Sequence, residues 1–133
     1  MTRIEELEQG FGEHPFSRLL GAKLERLETG FAVVSAKVTH EMLITQGMVQ
    51  GGVSFSIADF AGVYAAMSRI SAGHTPLANV HGDYYGPFRI DEVILARADV
   101  VAIDKKSLHV IVEVFCGSEK RAHFTLRFAK PKE

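Results

Sequence analysis

Cysteine occurs once in this chain, at Cys116, so no internal disulfide framework exists and the sequence suits a reducing compartment. An excess of charge of one sign is also missing: 15 Lys and Arg stand against 16 Asp and Glu, and the basic residues are scattered. That leaves no electrostatic footprint for a nucleic acid. No basic start with an apolar stretch behind it opens the chain. The most apolar segment carries Asp59, two serines and a tyrosine, so neither a signal peptide nor a membrane span is expected, and the cytoplasm is the expected location. The six histidines show no His-x-x-x-His or Cys/His spacing, which argues against a metal site. Gly-x-Ser-x-Gly is absent, Cys116 falls inside an expected strand, and no glycine-rich dinucleotide fingerprint occurs. Serine and cysteine nucleophiles are therefore disfavoured, and no cofactor is expected.

What is present is apolar: 47% of 133 residues, enough for the core of one domain spanning residues 1–133. Thr2 can cap a short helix over Arg3–Gln9 with Glu5 and Glu6 in its first turn, and His14–Leu20 reads as a further turn or two. Residues 1–21 thus form an N-terminal helical segment. Strand patterns follow over Lys23–Glu28 and Phe31–Val38, joined by a turn at Thr29-Gly30. After a connection without clear period over Glu41–Val49 comes the segment Gln50–Ile70. A loop over Ser71–Pro76 leads to a strand over Leu77–Tyr85, whose Asn79, His81 and Asp83 share one face. Three more strands, Val93–Ile103, Leu108–Cys116 and Ala122–Phe128, read as an antiparallel meander. Two strands, one long helix and four strands favour an α+β domain with one antiparallel sheet wrapped around the helix. One helix covers one side of such a sheet, so pairing with a second copy is expected.

The Gln50–Ile70 segment is apolar almost all round a helical wheel, and before Arg69 its only charge is Asp59. Such a helix belongs inside a protein, where a lone carboxylate is costly unless paired or used. Ser56, Tyr64 or a neighbouring strand are the candidates to pair it. The helix opens on Gly51-Gly52, where bare N–H groups and the positive end of the helix dipole favour a developing negative charge. Gln50 is either a contact to a bound carbonyl or an N-terminal cap.

The run Gln50-Gly51-Gly52-Val53-Ser54-Phe55-Ser56-Ile57-Ala58-Asp59, with Asp83-Tyr84-Tyr85-Gly86-Pro87 and the turn Asp104-Lys105-Lys106-Ser107, resembles the hotdog-fold acyl-CoA thioesterases, in particular their phenylacetate-pathway (PaaI-like) branch. The resemblance covers about Ala22 to Phe128. Two positions depart from it: Ile44 stands where the family commonly has Asn, and Gln50 where it commonly has His before the glycine pair.

The resemblance implies a hotdog fold, a curved antiparallel β-sheet around one long central helix. It also implies a homodimer, or a homotetramer built from dimers, that hydrolyses acyl-CoA with coenzyme A as part of the substrate. The Gly51 N–H would polarise the thioester carbonyl while Asp59 acts as base or nucleophile. Asp59 lies eight residues along the helix, about 12 Å at ~1.5 Å per residue, so the acid would come from the facing subunit. Gly52, Phe55, Asn79, His81 and Tyr84 are candidate substrate contacts, with Tyr85 as a further pocket wall, and Lys105, Lys106 and Ser107 would reach the nucleotide phosphates. Asn79, His81 and Asp83 read as dimer interface or pocket rim, with a solvent-facing strand as the alternative, and the alternative for the lysine turn is an ordinary charged hairpin. Ile44 and Gln50 favour a rival reading, a non-catalytic acyl-CoA-binding hotdog protein. A dehydratase of the same fold ranks last, because the helix supplies no histidine.

Overall fold

A computed structural model describes residues 1–132. The chain opens with α1 (Arg3–Phe11), which starts in a capping box: the Thr2 hydroxyl accepts from the Glu5 N–H and the Glu5 carboxylate accepts from the Thr2 N–H. α1 runs through Gly10 to Phe11, two residues beyond the expected Gln9. Phe11 is buried, edge-on against Phe60 and Tyr64 at 5.8 and 5.0 Å between ring centroids. That burial outweighs the roughly 1 kcal/mol a glycine costs in a helix. α2 (Pro15–Leu20) follows, with Pro15 at its start and Gly21 in the left-handed conformation at its end.

Six strands form one antiparallel sheet: β1 (Lys23–Glu28), β2 (Phe31–Lys37), β3 (Leu77–Tyr84), β4 (Val93–Ile103), β5 (Ser107–Cys116) and β6 (Glu119–Ala129). Their spatial order is β1-β2-β4-β5-β6-β3. β1 and β2 pair as the expected hairpin, β4 to β6 form the expected meander, and β3 closes the far edge against β6. β6 begins at Glu119 rather than Ala122, because a tight Gly117-Ser118 turn leaves Glu119 already opposite Cys116. The charges of Glu119, Lys120 and Arg121 suggest a turn, but pairing with β5 takes them into the ladder.

The long helix α3 (Gly51–Met67) packs chiefly across β2, β4 and β5. Its small residues Ala58, Ala61, Gly62 and Ala65 are buried and let the helix lie close to the sheet. A Cβ on Gly62 would come within 2.7 Å of the Leu126 side chain. α3 stops at Met67, short of the expected Ile70. The Ser68 hydroxyl donates to Ala65 O (2.7 Å) and accepts from the Gly30 N–H (2.7 Å), which turns the chain and ties it to the β1–β2 hairpin.

The two sheet edges differ. β1 carries Lys23, Glu25, Arg26 and Glu28 and a register shift between Leu24 and Arg26, features that discourage further pairing. In β3 all eight residues are exposed, Leu77, Val80 and Tyr84 among them. The polar Asn79-His81-Asp83 face is therefore open to solvent within this chain.

Candidate active site

The segment between β2 and α3 delivers the helix start in a fixed direction. Two short 3-10 turns, His40–Met42 and Thr45–Gly47, fold it back so that Leu43 bridges Val49. The Gln50 N–H donates to Met42 O (3.0 Å) and the Val49 N–H to Phe88 O (2.9 Å). Gln46, at φ 72°, holds a left-handed conformation that non-glycine residues adopt at a cost.

Gln50 is the N-cap of α3, its side-chain oxygen accepting from the Gly52 N–H at 3.2 Å. The Gly51 N–H has no acceptor among the described residues. Tyr84, from the end of β3, donates its hydroxyl to Gly51 O at 2.8 Å. Gly51, Ser54, Tyr84, Tyr85 and Pro87 line a cavity of about 340 Å³ in front of the helix start, with Val49, Gly86 and Phe88. An unpaired N–H at the positive end of a helix, facing an open cavity, is suited to hold an oxyanion.

Asp59 faces a different cavity, of about 210 Å³, together with His14, Phe60, Tyr64, His74 and Thr75. Its Oδ1 is buried with no hydrogen-bond partner, and so is the Oγ1 of Thr75. None of the expected partners reaches the acid: the Ser56 hydroxyl donates to Gly52 O (2.8 Å), and the Tyr64 hydroxyl is paired with His14 Nε2 (2.6 Å). Burial without compensation pushes the Asp59 carboxyl up to about 6. The same cause raises Tyr64 to about 12, so its phenol stays neutral.

Within one chain the free N–H and the unpaired acid are thus not brought together. His14, His74 and Thr75 were not foreseen from the sequence. They come from segments remote from α3, and nothing local in them signals proximity to Asp59; the Phe11 contacts carry the N-terminal segment over the cavity.

Among the other expected contacts, Phe55 packs edge-on against Phe124, which packs edge-on against Tyr84, each pair at 5.4 Å between centroids. Gly82 leaves room for this stack, since a Cβ there would come within 2.3 Å of Phe124. Gly52 is exposed with nothing near its missing Cβ. Asn79 and His81 are exposed on β3, with His81 Nε2 3.9 Å from the Asp83 carboxylate. Lys105 and Lys106 border a surface cavity of about 410 Å³ with Lys130 and Lys132, two cations not foreseen from the sequence as part of this group. Ser107 is buried, and its N–H donates to Asp104 Oδ1 at 2.8 Å, so of the three expected phosphate contacts only Lys105 and Lys106 present side chains to solvent. Among the described residues no three His, Cys, Asp or Glu side chains gather as a metal site, and no helix is long and apolar enough to cross a membrane.

The profile of the thioesterase superfamily matches residues 46–123, which hold the helix start, Asp59 and most of the sheet. The chain belongs to the thioesterase superfamily. Within it the chain is similar to a single-site mutant of the phenylacetic acid degradation protein PaaI from Thermus thermophilus. The identity is 29%, over 89% of this chain and 100% of that one, with a TM-score of 0.83. The PaaI protein of E. coli superposes with a TM-score of 0.90 over 98% of this chain and 94% of its own at 23% identity, a likeness of fold. This superfamily member therefore has the hotdog fold and stands in the PaaI-like branch. Among curated relatives, methylthioribose-1-phosphate isomerase of Aquifex aeolicus is 30% identical over 102 residues, but this chain spans 22% of its length. A Saccharolobus solfataricus protein, provisionally named an esterase, is 23% identical over 78% of this chain and 73% of its own.

Proposed function

We propose that this protein is an acyl-CoA thioesterase whose active site is shared between two copies of the chain, the Gly51 N–H of one facing Asp59 of the other. The observation that carries the reading is the pair of unsatisfied buried oxygens, Asp59 Oδ1 and Thr75 Oγ1, on one cavity. A buried polar atom left without a partner costs free energy unless a ligand or water fills the place. A water held in this cavity would find a free acceptor on Asp59, which favours the acid as general base over nucleophile. With a pKa of about 6, Asp59 is mostly ionised at neutral pH and able to accept a proton.

The water oxygen attacks the thioester carbonyl carbon as its proton passes to Asp59. The negative charge that develops on the carbonyl oxygen is held by the Gly51 N–H and the helix dipole. Collapse of this intermediate breaks the C–S bond, and coenzyme A leaves as the thiolate, then takes up a proton. The exposed β3 edge, with Leu77, Val80 and Tyr84, supports pairing of two copies there. Gly52, Phe55, Tyr84 and Tyr85 are the proposed walls on the donor side, with Asn79 and His81 at the rim. Lys105 and Lys106, joined by Lys130 and Lys132, are proposed for the nucleotide phosphates.

Ile44, exposed where the family commonly has Asn, favours a second reading, in which the protein binds acyl-CoA without cleaving it. Release of free coenzyme A from short, medium, long and aryl acyl-CoAs separates the two. Hydrolysis by wild type that Asp59→Asn abolishes supports the first reading. Binding of the thioesters without turnover supports the second.

A further inference from the structure

The peptide between Gly51 and Gly52 is held at both ends by side chains. Its N–H donates to the Gln50 side-chain oxygen at 3.2 Å, and its carbonyl accepts the Tyr84 hydroxyl at 2.8 Å. It is flanked by glycine on either side, the residue type that least resists rotation of a peptide plane. As the first residue of α3, Gly51 also offers this carbonyl to the helix's own hydrogen bonding, and packing adds little further restraint: outside the helix backbone and chain neighbours nothing lies within 4 Å of a Cβ built on Gly52, and the nearest atom to one on Gly51 is in the Tyr84 ring, at 3.6 Å. If this peptide turned over, its carbonyl oxygen would swing toward the free Gly51 N–H and oppose the negative charge that N–H is to receive.

We propose that Tyr84 is a positioning residue. By holding the Gly51–Gly52 peptide together with Gln50, it keeps the Gly51 N–H aimed at the thioester oxygen. Tyr84 is thus more than the pocket wall its ring suggests, and Gln50 acts through the backbone rather than on the substrate. The hydroxyl is available for this task because β3 ends beside the helix start and the ring is braced against Phe124. The proposal rests on the thioesterase reading.

The test uses Tyr84→Phe, which deletes the hydroxyl and keeps the ring on Phe124. Its kcat on the best acyl-CoA is expected to fall about 10-fold with KM within about two-fold of wild type, because the lost interaction serves the oxyanion of the transition state. In 15N-labelled protein the Gly52 amide is expected to exchange with solvent faster, while β5 and β6 amides keep their protection. Gln50→Met removes the other hold, and the double variant is expected to lose less than the product of the single losses, since both act on one peptide. Unchanged kcat in Tyr84→Phe overturns the proposal, and so does a fall in kcat with Gly52 exchange unaltered. If wild type cleaves no thioester, the thioesterase reading itself fails and the positioning role falls with it. Activity in wild type that Tyr84→Phe retains in full removes the positioning role alone.

Discussion

The start of α3 and its middle are built in opposite ways. At the start, Gln50, Tyr84 and the bridged segment before the helix hold the backbone and leave one N–H free on an open cavity. Eight residues on, Asp59 has a buried oxygen with no partner, and the groups nearest in sequence are engaged elsewhere. The donor end is complete in one chain, whereas the acid end is left unsatisfied. Folding stability alone does not favour such an acid, because an uncompensated buried carboxylate costs more than an amide or an apolar side chain of its size. The difference fits the proposed site, in which the free N–H of one copy of the chain and the acid of another serve one reaction.

The strongest way to break this contrast is to disable each end without disturbing the fold. Proline is well tolerated at the first position of a helix, and Gln50, at ψ 129°, already has the extended conformation that precedes proline. Gly51→Pro is therefore expected to fold normally, lose the free N–H and lower kcat about 10²–10³-fold, the usual cost of an oxyanion donor. Asp59→Asn is expected to lose at least as much, with coenzyme A release as the measurement for both.

The acid end is sharpened by pH and by stability. Because Asp59 has to be ionised to act, kcat/KM is expected to rise with pH through about 6 and level off above it. A rate independent of pH between 5 and 7 contradicts that assignment. The folded value of about 6 lies above the ordinary 3.8, so burial disfavours the ionised form. Its destabilising effect is absent at low pH, grows as pH rises from the unfolded value to the folded one, and stays constant beyond. Asp59→Asn is accordingly expected to stabilise the protein by about 2 kcal/mol at pH 7.5 and by little at pH 4, read from denaturant midpoints at both pH values. The smallest effect concerns the exposed lysines. Lys105→Ala with Lys106→Ala is expected to raise KM for acyl-CoA about three- to ten-fold, more at low ionic strength, and to leave kcat unchanged.

The sequence made legible those features whose cause is local. The Thr2 cap, the hairpin at Gly30, the three-strand meander and the glycine-opened apolar helix with its single acid all follow from neighbouring residues. Features set by tertiary contacts were read less well. α1 outlasts Gly10 because Phe11 finds Phe60 and Tyr64, and α3 ends early because Ser68 turns to Gly30. The alternation of β3 shows Asn79, His81 and Asp83 on one polar face, but not that the other face, with Val80, is exposed as well because the strand lies at the sheet edge. The site divides in the same way. Gly51 and Asp59 are readable from their helix, whereas His14 and Thr75 come to line the acid's cavity through packing that no local spacing encodes.

Mixing the two disabled variants shows whether one site is assembled from two chains. Gly51→Pro and Asp59→Asn, each inactive alone, are unfolded and refolded together, and coenzyme A release is measured. A shared site predicts recovery to about a quarter of the wild-type rate, because about half of randomly formed dimers are mixed and each regains one of its two sites. No recovery, with mixed dimers demonstrated by differential tagging, would contradict the account, since it would mean that donor and acid must come from the same chain.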